Sequence, residues 1–185
     1  MALFPFPQLK TERLILRAFD ADDAADTARM AGDRDVASNT LRIPHPYSEE
    51  MARTWIVSLT SEFAKGEGIT FAITLSDELI GAISLGITRE FDRAELGYWI
   101  GKPYWGQGYA TEAGRRMLAY GFGELGLNRI LAYHFSRNPA SGRVMEKLGM
   151  THEGHLRKHT KKWDAYEDEE MYGILKSDFV DRQEK

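Results

Sequence analysis

The run Ala94 to Leu118, AELGYWIGKPYWGQGYATEAGRRML, decides the fold. Its first eight residues read as a strand, Gly106 and Gly108 as a turn, and the remainder as a helix with Ala110, Ala113, Met117 and Gly121 on one face. Glycine lets the main chain approach a ligand without Cβ obstruction, and the first turn of a helix leaves amide groups unpaired. The helix dipole adds to their preference for an anion, so Gly106 to Thr111 suits a phosphate or pyrophosphate. On their own, two glycines more often only shape a tight turn. A phosphate loop of the lysine type is excluded, because no Lys with Ser or Thr follows them, and Thr111 occupies the third glycine position of a dinucleotide fingerprint.

Upstream, ITFAITL (69–75) and LIGAISLGI (79–87) read as two strands of a hairpin separated by Ser76, Asp77 and Glu78. Ser48 opens a helix with Trp55, Leu59 and Phe63 at core-facing spacing and a stop near Gly66 or Gly68. Further back, ERLILRAF (12–19) alternates, with Leu14, Leu16 and Ala18 on one side and Arg13, Ile15 and Arg17 on the other, which predicts a first strand. Asp20 caps a helix that stops at Gly32, and a polar segment through His45 and Pro46 follows. Downstream, RILAYHF is a short strand, and NPASGRVMEKLGM a helix with Asn138 as N-cap and Pro139 in its first turn. A strand near Thr151 to Arg157, a charged turn and the strand EEMYGIL close the chain. The order β, α, α, β, β, β, α, β, α, β, β describes one mixed α/β domain over residues 1–185, with a largely antiparallel central sheet flanked by helices.

The chain has 185 residues, 43% of them hydrophobic, enough for one buried core. A net charge of -4 gives no global reason to expect nucleic acid, and the acids beside Arg157, Lys158, Lys161 and Lys162 argue against a local site. With no cysteine, disulfides, thiolate metal sites and a covalent cysteine intermediate are excluded. The start, MALFPFPQLK, is broken by Pro5 and Pro7 and is unlike a secretory signal, and no apolar run is long enough to span a bilayer. The expected setting is cytoplasmic, with no membrane partner.

Taken together, WGQGYATEA, NPASGRVMEKLGM, the opening TERLILR and the closing MYGIL, in that order over nearly the whole chain, resemble the GNAT superfamily of N-acetyltransferases, specifically its RimJ/RimL-like branch acting on ribosomal-protein N-termini. The resemblance implies a splayed sheet holding acetyl-CoA, with the pyrophosphate on the amides of Gly106, Gln107, Gly108, Tyr109, Ala110 and Thr111. It implies that Trp99 and Ile100 lie along the pantetheine and that Asn138 contacts the cofactor arm. The implied reaction is direct transfer of acetyl to a primary amine in a ternary complex, without metal. The acceptor is a protein or peptide N-terminal α-amine or a small amine, and a homodimer is left open. Two positions depart from the family pattern. Pro103 stands where Gln or Arg is common, and Met145 where many members carry a tyrosine acid; methionine cannot donate that proton. The RimJ/RimL-like branch instead places a serine one turn earlier, matching Ser141. Met145 keeps a non-catalytic acetyl-CoA-binding module in view as the alternative.

Forming an amide from a thioester requires a neutral amine and stabilisation of the oxygen anion that develops on the carbonyl. Glu95, at the start of the strand leading into the turn, is the candidate base, against the plainer reading of a solvated strand residue. Ser141 is the candidate donor to the leaving sulfur, or a cofactor contact. His155 and His159 share a strand face that His152 does not, which disfavours a metal site. RKHTKKWDAYEDEE (157–170) reads as a solvated hairpin turn, with Trp163 and Tyr166 bordering the acceptor site as its functional alternative.

Overall fold

The computed structural model describes residues 5–183, so Met1 to Phe4 of the opening segment and Glu184 and Lys185 lie outside the described residues. The first strand forms in two pieces, β1 (Leu9–Lys10) and β2 (Ile15–Arg17). The expected alternation buries Leu14 and Leu16, whereas Ala18 lies beyond the strand and is exposed. Asp20 caps a short 3-10 turn that leads into α1 (Ala24–Ala31), and Gly32 ends it. The polar linker contains a helix the periodicity did not announce, α2 (Arg34–Ser38), whose start is fixed by Asp33 accepting from the Asp35 amide at 2.8 Å. Five residues are too few to display a helical period. In α3 (Glu49–Lys65) the Ser48 hydroxyl accepts from the Met51 amide at 3.2 Å, and Gly66 ends the helix in the left-handed region. Leu59 is buried as expected, while Trp55 and Phe63 are half-buried and Ala52 and Ile56 complete the inner face.

The hairpin of β3 (Gly68–Leu75) and β4 (Glu78–Thr88) turns on two residues, Ser76 and Asp77, both at positive φ, which matches the twist of the paired strands. Next come β5 (Arg93–Ile100), α4 (Tyr109–Gly123), β6 (Arg129–Phe135), α5 (Pro139–Lys147), β7 (Thr151–Lys162), β8 (Ala165–Leu175) and α6 (Lys176–Gln183). The eight strands form one sheet in the order β1-β2-β3-β4-β5-β6-β8-β7. Every pairing is antiparallel except β5 with β6. One face carries the main core, where Phe71, Ile83 and Leu85 meet Ala113, Met117 and Leu118 of α4. On the other face Ala82 and Trp99 pack on Met30 and Ala31 of α1. Each large side chain fully buried in this way stabilises the fold by about 1.5–3 kcal/mol. Among the described residues no helix is long and apolar enough to cross a membrane.

The closing hairpin corrects the reading of the charged tract as a solvated turn. β7 and β8 extend through it, leaving Trp163 and Asp164 at the turn, and Lys162 and Glu169 are buried, at 3% and 6% exposure. Each charge meets a polar partner as it leaves water: Glu169 the Thr160 hydroxyl across the strand pair, and Lys162 the carbonyls of Leu41 and Ile43 from a segment distant in sequence. Register shifts between His152 and Gly154 and between Leu156 and Thr160 also break the simple alternation expected for the histidines. His152 and His155 therefore both reach Glu170, at 2.7 Å each, and Ser136 donates to the same carboxylate at 2.7 Å. Among the described residues no group of three or more His, Asp or Glu converges as a metal site.

Hydrogen bonds from Ser136, His155 and His152 hold the Glu170 carboxyl down at about 2. A carboxylate depressed in the folded state stabilises it above the unfolded value of ~4.3, and that contribution is lost as pH falls through 2. Glu170→Gln is therefore expected to lower the urea midpoint at pH 7, with the gap to wild type closing progressively below pH 4. A gap that stays constant down to pH 2.5 would refute this linkage.

Candidate functional site

β5 and β6 are hydrogen-bonded over three registers only, Arg93 with Arg129, Ala94 with Ile130 and Glu95 with Leu131. Beyond Glu95 the strands part. β5 stays paired with β4 as far as Ile100, so from Leu96 onward its other edge directs backbone N–H and C=O groups into the gap. The gap opens into a cleft of about 1370 Å³ reaching from α3 to α5. Trp99 and Ile100 line it, but their side chains are buried in opposite cores. The Trp99 carbonyl faces Gly81 of β4, the Ile100 carbonyl accepts from the Trp105 indole at 2.6 Å, and the backbone groups turned to the gap are those of the alternate residues Leu96, Tyr98 and Ile100.

The turn after β5 lies at one end of this cleft. Gly106 and Gly108 have φ of 75° and 84°, a region that side chains disfavour. The first helical bond of α4 runs from the Glu112 amide to Gly108 at 3.0 Å. Among the described residues, the amides of Gly106, Gln107, Gly108, Tyr109, Ala110 and Thr111 ahead of it have no acceptor within the protein. A row of free amides at a helix start, with glycine on two of them, fits an anionic pyrophosphate. Pro103 is accommodated in a 3-10 turn, and its carbonyl accepts from the Gln107 side chain at 3.2 Å.

The opening segment holds this turn in place, a role the sequence did not reveal. Arg13 pairs with Glu112 at 2.6 Å, donates to the Gln107 carbonyl at 3.2 Å and lies 4.5 Å from the Tyr109 ring centroid. Burial pushes the Glu112 carboxyl up, but hydrogen bonds from Thr11 and Arg13 outweigh it and hold it below its ordinary value. Its charge is thereby neutralised beside the amides rather than left to repel an anion.

Residues on the two sides of the sheet meet at the parting. On the side of α5, the Tyr98 hydroxyl lies 2.6 Å from the Ser141 hydroxyl. Ser141 lines the cleft, whereas Met145 is 1% exposed and belongs to the main core. The position at which a tyrosine donor was missed therefore points away from the cleft. Asn138 is the N-cap of α5 by position only, since its side chain makes no capping hydrogen bond; it lines the cleft instead. On the side of α1 and α3, the register aligns Glu95 with Leu131 and Phe135 with Glu169, so two carboxylates share one face. Glu95 is open to the cleft yet surrounded by protein. That burial raises its carboxyl above the ordinary value, with Arg42 opposing the rise and Glu169 adding to it. Glu169 accepts from the Thr160 hydroxyl at 3.0 Å.

A strap closes the far side. Arg137 donates to the Ser38 carbonyl at 2.6 Å and to the Asn39 side chain at 3.0 Å, while Lys162 donates to the Ile43 carbonyl at 2.5 Å. Burial, with Arg137 nearby, lowers the Lys162 pKa. Lys162 is thus a buried clamp rather than part of a surface basic stripe. Leu41 remains exposed where it lines the cleft, whereas Trp163 and Tyr166, expected to border the acceptor site, are exposed on the closing hairpin and are not among the residues that line the cleft.

Comparison with known proteins matches residues 13–151 to the acetyltransferase (GNAT) domain. An uncharacterized N-acetyltransferase of Bacillus subtilis, YoaA, is 34% identical over 174 residues, covering 92% of this chain and 98% of that protein. The crystal structure of a GNAT-family acetyltransferase from Bacillus anthracis superposes with a TM-score of 0.82 at 30% identity, covering 92% of this chain and 99% of that one. RimJ of Mycobacterium smegmatis, solved with CoA-disulfide, has the same fold at a TM-score of 0.82 and 22% identity, covering 96% and 94%.

Proposed function

The chain belongs to the acetyltransferase (GNAT) family and is an acetyl-CoA-dependent N-acetyltransferase, and from that premise we propose that it acetylates the α-amine of a protein or peptide N-terminus as a RimJ/RimL-like enzyme. The proposed unit is the whole chain, 1–185, acting in the cytoplasm. The observation that carries the acceptor assignment is Glu95, a carboxyl raised by burial and open to the cleft where β5 and β6 part. An α-amine has a reference pKa of ~7.7–8.0 against ~10.4 for lysine, so near neutral pH a weak carboxylate base suffices for the first and not for the second.

Acetyl-CoA supplies the thioester carbonyl. The amides from Gly106 to Thr111 bind the pyrophosphate, the pantetheine lies along Trp99 and Ile100, and the backbone groups that β5 turns to the gap at alternate residues hold its amides and polarise the carbonyl. Asn138 orients the same arm. Glu95 takes the proton of the incoming amine, and Glu169 beside it keeps that end of the cleft attractive to a cation. Ser141 faces the leaving sulfur across the gap. Leu41, exposed where it lines the cleft, offers apolar contact to the residues that follow a peptide's first. A small amine is the second reading, favoured by the strap that Arg137 and Lys162 pin over the cleft.

A thiol-release assay separates the readings. A peptide with a free N-terminus is expected to exceed, by at least about tenfold in kcat/KM, both a polyamine and the same peptide blocked at its terminus but bearing lysine. Preference for the polyamine would transfer the assignment to small amines, and thiol release from no acceptor would leave only a binding module. Glu95→Gln is expected to lower kcat by roughly 100-fold with little change in the KM for acetyl-CoA; unchanged kcat removes Glu95 from the role. Gly108→Ala forces a side chain into the left-handed region, so calorimetry is expected to show acetyl-CoA affinity weakened about 5- to 30-fold. Unaltered affinity would sink the assignment of that turn.

A further inference from the structure

The reaction scheme above leaves unused a short contact between two cleft-lining side chains, the 2.6 Å hydrogen bond between the Tyr98 and Ser141 hydroxyls. Either oxygen could donate, and chemistry decides between them. A phenol is a better donor and a poorer acceptor than an aliphatic hydroxyl, because its lone pair is shared with the ring. Among the described residues the Tyr98 hydroxyl has no other partner. Burial pushes its pKa up to about 12, so it remains protonated and keeps a proton to donate. Ser141 sits in the first turn of α5, its amide is engaged with the Asn138 carbonyl at 3.1 Å, and it lines the cleft. With its oxygen accepting from Tyr98, the serine proton is left to point into the cleft.

We propose that Tyr98 is a positioning residue that fixes and polarises Ser141, so that a two-hydroxyl chain, Tyr98 to Ser141 to sulfur, stabilises the thiolate form of bound CoA by hydrogen bonding rather than by giving it a proton. This rests on the reading of the cleft as the acetyl-CoA site. Magnitudes favour hydrogen bonding over transfer: a thiol titrates near ~8.5, far below Tyr98 at about 12, so handing over the tyrosine proton would be uphill. In the balanced step the C–N bond forms and the C–S bond breaks with its electron pair left on sulfur. The amine proton goes to Glu95, and both hydroxyls keep theirs. Hydrogen bonds in series polarise one another, which is what Tyr98 adds to Ser141.

The test is the titration of CoA bound at saturation to the wild-type protein, to Tyr98→Phe, to Ser141→Ala and to the double variant, followed by ultraviolet thiolate absorbance. This needs no acceptor and no turnover. The bound thiol is expected to titrate about one pH unit below free CoA in the wild type. Part of that lowering is expected to vanish in Tyr98→Phe and all of it in Ser141→Ala, with the double variant matching Ser141→Ala. A purely structural tyrosine would change thermal stability and leave the thiol titration untouched. Equal titration in the wild type and Tyr98→Phe, or losses that add in the double variant, overturns the proposal. Failure of CoA to bind the wild type overturns the reading of the site itself, and the role of the pair with it.

Discussion

The limited pairing of β5 with β6 is the constraint from which the rest of the site follows. β5 is zipped to β4 along its whole length, and β6 is zipped to β8, but the two halves of the sheet share only the three registers that end at Glu95 and Leu131. A parallel pair cannot be joined by a tight turn, so the chain must leave β5, cross the sheet through α4 and return. The start of α4 thus lies at the open end of the gap, and its unpaired amides face the same space as the unpaired edge of β5. Both sets of backbone groups need a polar partner, and an extended molecule with phosphates at one end and amides along its length can satisfy both.

The parting also joins the two faces of the sheet. Along β5 the side chains of Glu95 and Trp99 leave one face and that of Tyr98 the other. In a continuous sheet these would be separated by a layer of backbone. At a gap they border a single volume, so a carboxyl on the α1 and α3 side and a hydroxyl pair on the α5 side can act on opposite ends of one reacting group. The division gives the proposed base and the proposed leaving-group contacts different environments: Glu95 is raised by burial beside a second carboxylate, while Tyr98 is kept neutral against α5.

Charged contacts finish the enclosure. Arg13 with Glu112, Arg137 with Glu167, and Lys162 with the carbonyls of the strap each tie segments distant in sequence to the rim of the cleft. Of these three cations Lys162 alone is buried, and leaving it without its carbonyl partners would be strongly destabilising; the two arginines are exposed, so their pairs orient the turn and the rim but add little energy.

Much of this was readable from residues in order. The alternation at Leu14 and Leu16, the caps at Ser48 and Gly66, the glycines of the turn and the helix around Ser141 are local signals, set by side-chain periods and backbone preferences that act within a few residues. They suffice for the order of the longer strands and helices and for the family, but not for the short helices α2 and α6. They could not identify Tyr98 as the partner of Ser141, 43 residues away, nor Glu169 as a second carboxylate on the face of Glu95. Nor could they show that Met145 turns into the core and that Lys162 is buried within a charged tract. Those facts depend on strand register, on bulges and on which edge of β5 is left unpaired. Such long-range pairings are decided by how the whole sheet closes around its core, and no window of neighbouring residues contains them.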